Sequence, residues 1–349
     1  MQVRTERIRV RRAGGGVGDF DEVEQRVRVV PHHGPVLSDV APDLGPLLGT
    51  DKAISLRWLG WGTTHEARAF YDLARADSYA AFQASLDHFE AGLFNFVYAG
   101  RDGDIGYYPH ASYPIRERLD PQAPPYGVVP GTGDYEWAGT LIPNDCIPQA
   151  HDPPSCRIWT ANNDPAGVTA DGDVLDDAFY LGGTFDYGLR ARRIRDRLDA
   201  LGGRGITLDD LEAIQADVHS GLAEHFLPPL LAAVASQQLS PAATALAQEL
   251  AAWNREDSAD ANAPTIFAAF YSQLLVDVFA DDLPFTFPRA GTDDRLFASL
   301  LTHLLAGEPA PSGHDYLGGK TPAEVLSAAL EEVAVSLPKA LGPDPTAWA

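Results

Sequence analysis

The sequence predicts a mixed α+β fold in which a sheet-bearing half, residues 1–200, is followed by a mainly helical half, residues 201–349. Three observations lead there. Up to His110, short runs of β-branched and aromatic residues alternate with polar ones and are punctuated by Gly and Asp-Gly turns. Residues 111–156 form a stretch rich in Pro, Gly and aromatic residues with no periodicity of their own. From Gly205 onward, Leu, Ala and Phe recur at helical spacing behind Ser, Thr and Pro start signals.

Composition narrows the function classes. A chain of 349 residues with 45% hydrophobic content can bury a substantial core and can hold two domains. A net charge of −23 argues against nucleic acid or an anionic membrane surface as partner. Lys52, Lys320 and Lys339 are the only lysines, so arginine supplies most of the positive charge. No apolar run approaches the ~20 residues that cross a bilayer. The opening Met1-Gln-Val-Arg-Thr-Glu-Arg segment has charges but no apolar stretch of the kind a signal peptide needs.

Taken in order, Arg7–Arg12 and Glu24–Val30 read as strands joined through the Gly14-Gly15-Gly16 turn, and Ala53–Trp58 as a further strand. Thr64–Glu90 is helical, with Phe70, Leu73 and Ala74 on one apolar face and Ala80, Phe82, Leu86 and Phe89 on a second. Asp77-Ser78 is the N-cap signal between the two helices. Phe94–Gly100 and Ile105–His110 form a hairpin around Asp102-Gly103. The aromatic, Pro-rich stretch 111–156 is expected to pack over a core and shape a cleft. Tyr187–Leu201 reads as a helix ending at Gly202-Gly203, with Arg190 in its first turn, where a cation opposes the helix dipole. Thr207, Ser240-Pro241 and the capping box Thr321-Pro-Ala-Glu324 open the later helices.

Four features invite chemistry. Ile158-Trp-Thr-Ala161 is β-prone and runs into Asn162-Asn163-Asp164-Pro165, a turn signature. An asparagine held at a strand end can aim an N–H at a developing oxyanion, while the plainer reading is an Asx turn. His32-His33 suggests a metal, but with no third ligand nearby in sequence a turn with solvated imidazoles is the expectation. Asp171-Gly-Asp173, Asp176 and Asp177 are acidic enough for calcium but lack the spacing of an EF-hand, which favours a solvated loop. Cys146 and Cys156 allow a disulfide or two free thiols, and no Cys/His cluster supports zinc.

Read together, several stretches resemble the penicillin acylase family of N-terminal-nucleophile (Ntn) hydrolases. They are Asn95-Phe-Val-Tyr-Ala-Gly-Arg-Asp-Gly-Asp-Ile-Gly-Tyr-Tyr-Pro109, Val129-Pro-Gly-Thr-Gly-Asp-Tyr-Glu-Trp-Ala-Gly139, Pro143, Thr160-Ala-Asn-Asn-Asp-Pro165 and Arg190-Ala-Arg-Arg-Ile194. His33-Gly-Pro-Val36 and the Trp58 strand fit the same order.

The resemblance implies a fold and a set of roles. The fold would be part of the Ntn αββα sheet core, followed by a helical region of the same β chain. Asn162 matches the family's side-chain oxyanion donor, and Arg190 the arginine that organises the site around the nucleophile's amino group. Asp177 matches an aspartate, and Pro125 a proline carbonyl, of a structural calcium site; no organic cofactor is implied. The substrate would be a small-molecule amide: a β-lactam side chain, an acyl-homoserine lactone or a lipopeptide acyl group. The family also suggests a periplasmic or secreted location.

The same resemblance implies an omission. The family's nucleophile is a serine at the N-terminus of the β chain, whose own amine acts as base. Met1-Gln2 resembles the middle of that chain, so the nucleophile segment and the α chain are expected to be partners outside this sequence. Ser55, Ser78, Ser85, Ser112, Ser155 and Ser220 offer no Gly-x-Ser-x-Gly elbow in their place. By itself the chain is therefore expected to lack amidase activity. A rival expectation is a non-catalytic acyl- or peptide-binding remnant with its cleft in residues 107–137. A carboxylate-based glycosidase rests only on abundant Asp and Glu and ranks last.

Overall fold

The computed structural model describes residues 1–40, 52–120, 123–125, 127–165, 177–182, 185–203, 205–282, 295–310, 313–343 and 348. They fall into two compact units, Met1–Ile158 with Pro165–Gly183, and Trp159–Asp164 with Thr184–Ala349.

The first unit opens with a hairpin, β1 (Gln2–Arg11) and β2 (Phe20–Val30), in unbroken antiparallel register from Gln2 opposite Val29 to Arg11 opposite Phe20. Arg7 Nε donates to Glu24 Oε1 across it at 3.0 Å. Gly14 and Gly18 carry φ of +75° and +98° in the connection, a left-handed conformation that costs glycine little. β3 (Gly34–Pro35) adds a short third strand beside β2. The strand expected at Ala53–Trp58 is reduced to one bridge between Val36 and Ser55, flanked by bonds from Leu37 N to Ile54 O and from Leu56 N to Pro35 O, and a 310 turn, Leu59–Trp61, follows.

Helices α1 (Glu66–Leu73) and α2 (Tyr79–Leu86) follow. Ser78 caps α2, its hydroxyl accepting from Ala81 N at 3.3 Å. Phe82, Leu86 and Phe89 are buried as their spacing requires, whereas on α1 the fully buried residue is Ala69 and Phe70 is half exposed. Phe70 lies edge-on to Phe89 at 5.8 Å.

The hairpin β4 (Phe94–Ala99) and β5 (Ile105–His110) turns at Gly103, φ +103°, and β8 (Ala150–His151) extends it on the β5 side. The Pro-rich stretch contributes β6 (Pro114–Arg116) and β7 (Trp137–Leu141), which pair with each other. It also sends Ile142 and Ile147 into the core formed by Ala69, Phe82, Leu86, Phe89 and Tyr108. Among the described residues the strands thus form three separate antiparallel sheets of three, three and two strands.

The second unit is helical: α3 (Leu189–Ala200), α4 (Leu208–Gln215), α5 (Gly221–Ser236), α6 (Pro241–Ala252), α7 (Asn262–Phe279), α8 (Arg295–Leu305) and α9 (Pro322–Leu341). α3 belongs to this unit, ahead of the change in composition near residue 200. The start signals behave as their chemistry dictates. Thr207, Ser220, Ser240 and Thr321 each accept a backbone N–H of the first turn, and Thr321 with Glu324 closes a reciprocal capping box. One continuous core runs through α5, α6, α7, α8 and α9 around Phe226, Leu230, Phe270, Leu274, Leu301 and Leu330.

Candidate active site

The β-prone segment Ile158–Ala161 is not a strand; only Asn163 pairs, in a single parallel bridge with Asp186. The backbone turns sharply immediately after Ala161, since Asn162 adopts φ +62°, a left-handed conformation uncommon outside glycine and most accessible to Asn and Asp. Asn162 O accepts from Asp186 N at 2.8 Å, and Asn163 Oδ1 accepts from Ala161 N at 3.1 Å. This is not the Asx turn of the plainer reading, in which the side-chain oxygen accepts from the N–H two residues on: Asn163 bonds two residues back, and Pro165, two residues on, has no N–H. The side chain of Asn162 is left for something else.

That something is Arg190. Its Nη2 donates to Asn162 Oδ1 at 3.0 Å, to the Ala161 carbonyl at 2.9 Å and to Asp186 Oδ2 at 2.9 Å. Asp186 in turn accepts from Gly188 N at 2.9 Å, the residue that starts α3 with φ +88°. The cation in the first turn of α3 is thus compensated by three acceptors, one of them an almost buried carboxylate. Arg190 can only donate, so it requires the carbonyl oxygen of the Asn162 amide to face it. The Nδ2 group is thereby turned away from Arg190 with its N–H bonds available as donors. A side chain held in this way by a charge-assisted bond is what a preorganised oxyanion donor needs.

Arg190 and Asp186 also border a cavity of about 820 Å³ that reaches between α3, α4 and α5 to Asp217, Asp257 and Tyr271. Arg193 grips Asp217 with two bonds, Nε to Oδ1 at 3.1 Å and Nη2 to Oδ2 at 2.7 Å, and Arg197 adds a third contact at 3.2 Å. The Arg193 hydrogen bond holds the Asp217 carboxyl below the usual range, while burial pushes that of Asp257 up.

The remaining expected residues lie elsewhere. Pro125 and Asp177 are half-buried loop residues of the first unit, and Asp177 has interactions of its own. A carboxylate and a backbone carbonyl are hard oxygen donors of the kind calcium takes, and number two against its usual 6–8 ligands. Asp171, Asp173 and Asp176 lie outside the described residues. Cys146 and Cys156 are free, exposed thiols.

Two things were not legible in sequence. Asp186 stands four residues before Arg190, a spacing that could have flagged the pair, although Gly188 makes it a turn contact and not an intrahelical one. His33 is not solvated: its Nε2 lies 2.8 Å from Glu136 Oε1, whose other oxygen accepts from Arg57 Nη1 at 2.8 Å. No local signal could join partners 103 residues apart. Burial pulls the Glu136 carboxyl up, but His33 and Arg57 outweigh it and leave it below its ordinary value.

The penicillin amidase family model matches residues 1–349. The chain belongs to that family. Penicillin G acylase of Escherichia coli is 26% identical to it over 284 residues, which is 74% of this chain and 32% of that protein. A thermostable penicillin G acylase from Alcaligenes faecalis has a similar fold, with a TM-score of 0.68 and 19% identity, covering 99% of this chain and 62% of that one. The chain therefore spans about a third of the length of the first relative and under two thirds of the second. No helix among the described residues is long and apolar enough to cross a membrane.

Proposed function

We propose that this chain is part of an amide hydrolase in which Asn162 Nδ2 donates a hydrogen bond to the oxyanion of the tetrahedral intermediate. The observation that carries the reading is the 3.0 Å bond from Arg190 Nη2 to Asn162 Oδ1, which orients the amide before any substrate arrives. Family membership supports the reaction class. The attacking group is an N-terminal serine in a β-chain segment outside these 349 residues, with its own α-amine as base. That segment and the α chain complete an αββα core to which the present sheets contribute. The acyl donor is an acylated small molecule of the class formed by β-lactam side chains, acyl-homoserine lactones and lipopeptides. Asp177 and the Pro125 carbonyl contribute to a structural calcium site, where the ion would tie two loops together and take no part in bond cleavage.

In this reading the 349-residue chain hydrolyses nothing alone, and the precursor that contains it does. Asn162→Ala in that precursor is expected to lower kcat by about 10²–10³ with little change in KM, since the donor matters most in the transition state. Arg190→Ala should give part of the same loss by freeing the amide to rotate. An Asn162→Ala precursor with undiminished kcat would remove the oxyanion role. Saturable phenylacetate binding by the precursor, with no hydrolysis of any acylated substrate, would favour a non-catalytic binding protein.

A further inference from the structure

The paired histidines that lacked a third partner in sequence acquire one in the fold. His33 and Glu136 are in direct contact, and the ring of His32 meets that of His33 edge-on at a centroid distance of 5.0 Å. One ligand atom from each of His32, His33 and Glu136 lies within 4.8 Å of the other two. His32 and His33 also line a cleft of about 660 Å³ walled by Trp58, Trp61 and Trp137.

We infer that His32, His33 and Glu136 form a binding site for a divalent transition metal of the zinc type. The donor set is two imidazole nitrogens and one carboxylate oxygen, which suits zinc and its neighbours and is too rich in nitrogen for calcium or magnesium. Three protein ligands leave a fourth tetrahedral position for water or a ligand, and both histidines line the cleft. Ligand atoms around zinc stand roughly 3.3 Å apart, given bonds of about 2.0–2.1 Å. The His33–Glu136 contact of 2.8 Å therefore opens slightly as the metal replaces its shared proton, and His32, exposed and without a helix or strand to hold it, swings inward.

The surroundings fit a carboxylate ligand already held in place. Arg57 occupies Oε2 of Glu136 and leaves Oε1 to the histidines, the kind of support that orients a ligating carboxylate. Arg57 is itself braced by Trp137, its guanidinium carbon 4.4 Å from the ring centre. Its charge also weakens the carboxylate as a ligand, so the affinity expected is in the micromolar range and not that of a closed structural zinc site. The chain's charge of −23 favours cation approach. A second triad, Asp104, His151 and Asp152, is the internal control. It offers one nitrogen instead of two, and Asp152 Oδ1 is already taken by Ile105 N at 2.8 Å.

The test is a titration of the protein with Zn²⁺ by calorimetry and with Co²⁺ by absorbance. One equivalent is expected to bind, with the visible bands of a tetrahedral cobalt site. His32→Asn changes an exposed side chain and should weaken binding tenfold or more while leaving the melting temperature unchanged. Glu136→Gln should weaken it similarly, and His151→Asn should leave it unaltered. Millimolar Ca²⁺ should not displace the ion. No binding, binding indifferent to His32→Asn, binding abolished by His151→Asn, or displacement by Ca²⁺ would each overturn the assignment.

Discussion

The two units solve the problem of burial differently. In the helical unit a single core joins five helices, and α7 alone buries nine residues between Ala263 and Phe279. In the first unit the strands β4 and β5 share a small core with α1 and α2, while every residue of β1 is exposed, including Val3, Ile8 and Val10. A long hairpin edged by the two-residue β3, with little else buried against it among the described residues, draws its stability mainly from cross-strand pairs. The difference teaches that hydrogen-bond register and burial are separate achievements. β1 and β2 have ten residues in register and almost no core; α7 and α9 have both.

The contrast can be sharpened by substitution. Phe270→Ala removes a ring with no solvent exposure at the centre of the helical core and is expected to cost about 3–5 kcal/mol, read from denaturant unfolding followed by far-UV circular dichroism. A cost under ~1 kcal/mol would mean that this core is far looser than its burial implies. Thr321→Ala breaks the reciprocal cap of α9 by removing the hydroxyl that accepts from Glu324 N at 3.3 Å, and should cost about 1 kcal/mol in the same assay.

In the first unit the sensitive quantity is pH. The Glu66 carboxylate is held at about 2 by a hydrogen bond from the Thr64 side chain and by backbone N–H groups, Ala91 N at 2.7 Å among them. A depressed carboxyl stabilises the folded form at all pH values above its unfolded pKa of about 4.3, and that contribution fades as pH falls toward 2. Glu66→Gln should flatten the acid limb of the melting-temperature profile between those values, and an unchanged limb would mean the anion is not what ties α1 to the loop after α2. The smallest effect is expected in β1. Ile8→Ser, on the exposed ribbon, should shift stability by no more than ~0.5 kcal/mol, and a larger loss would show that the ribbon has packing partners.

The residues legible in advance are those whose signals are local. Ser78, Ser240 and Thr321 announce helix starts because a hydroxyl three residues ahead of a free N–H has little else to do. Asp102-Gly103 announces the β4–β5 turn because only a few residues accept its backbone angles. The asparagines that follow Ala161 and the helix-dipole conflict at Arg190 are the physical hints of a special role, and the family resemblance singles out Asn162 and Arg190. The expected strand Ile158–Ala161 failed for a related reason. Its β propensity is real, but the backbone of Ala161 bonds to the side chains of Arg190 and Asn163, and propensity yields to such contacts.

By itself, then, the sequence determined the α+β class, the helix caps, the hairpins and the family, because each is written in neighbouring residues or in ordered motifs. Tertiary structure alone decided that Arg190 turns the amide of Asn162, that Asp186 anchors Arg190, and that His33 meets Glu136 across 103 residues. Those contacts depend on where the folded backbone places distant atoms within about 3 Å, and no local pattern of residues encodes such a distance.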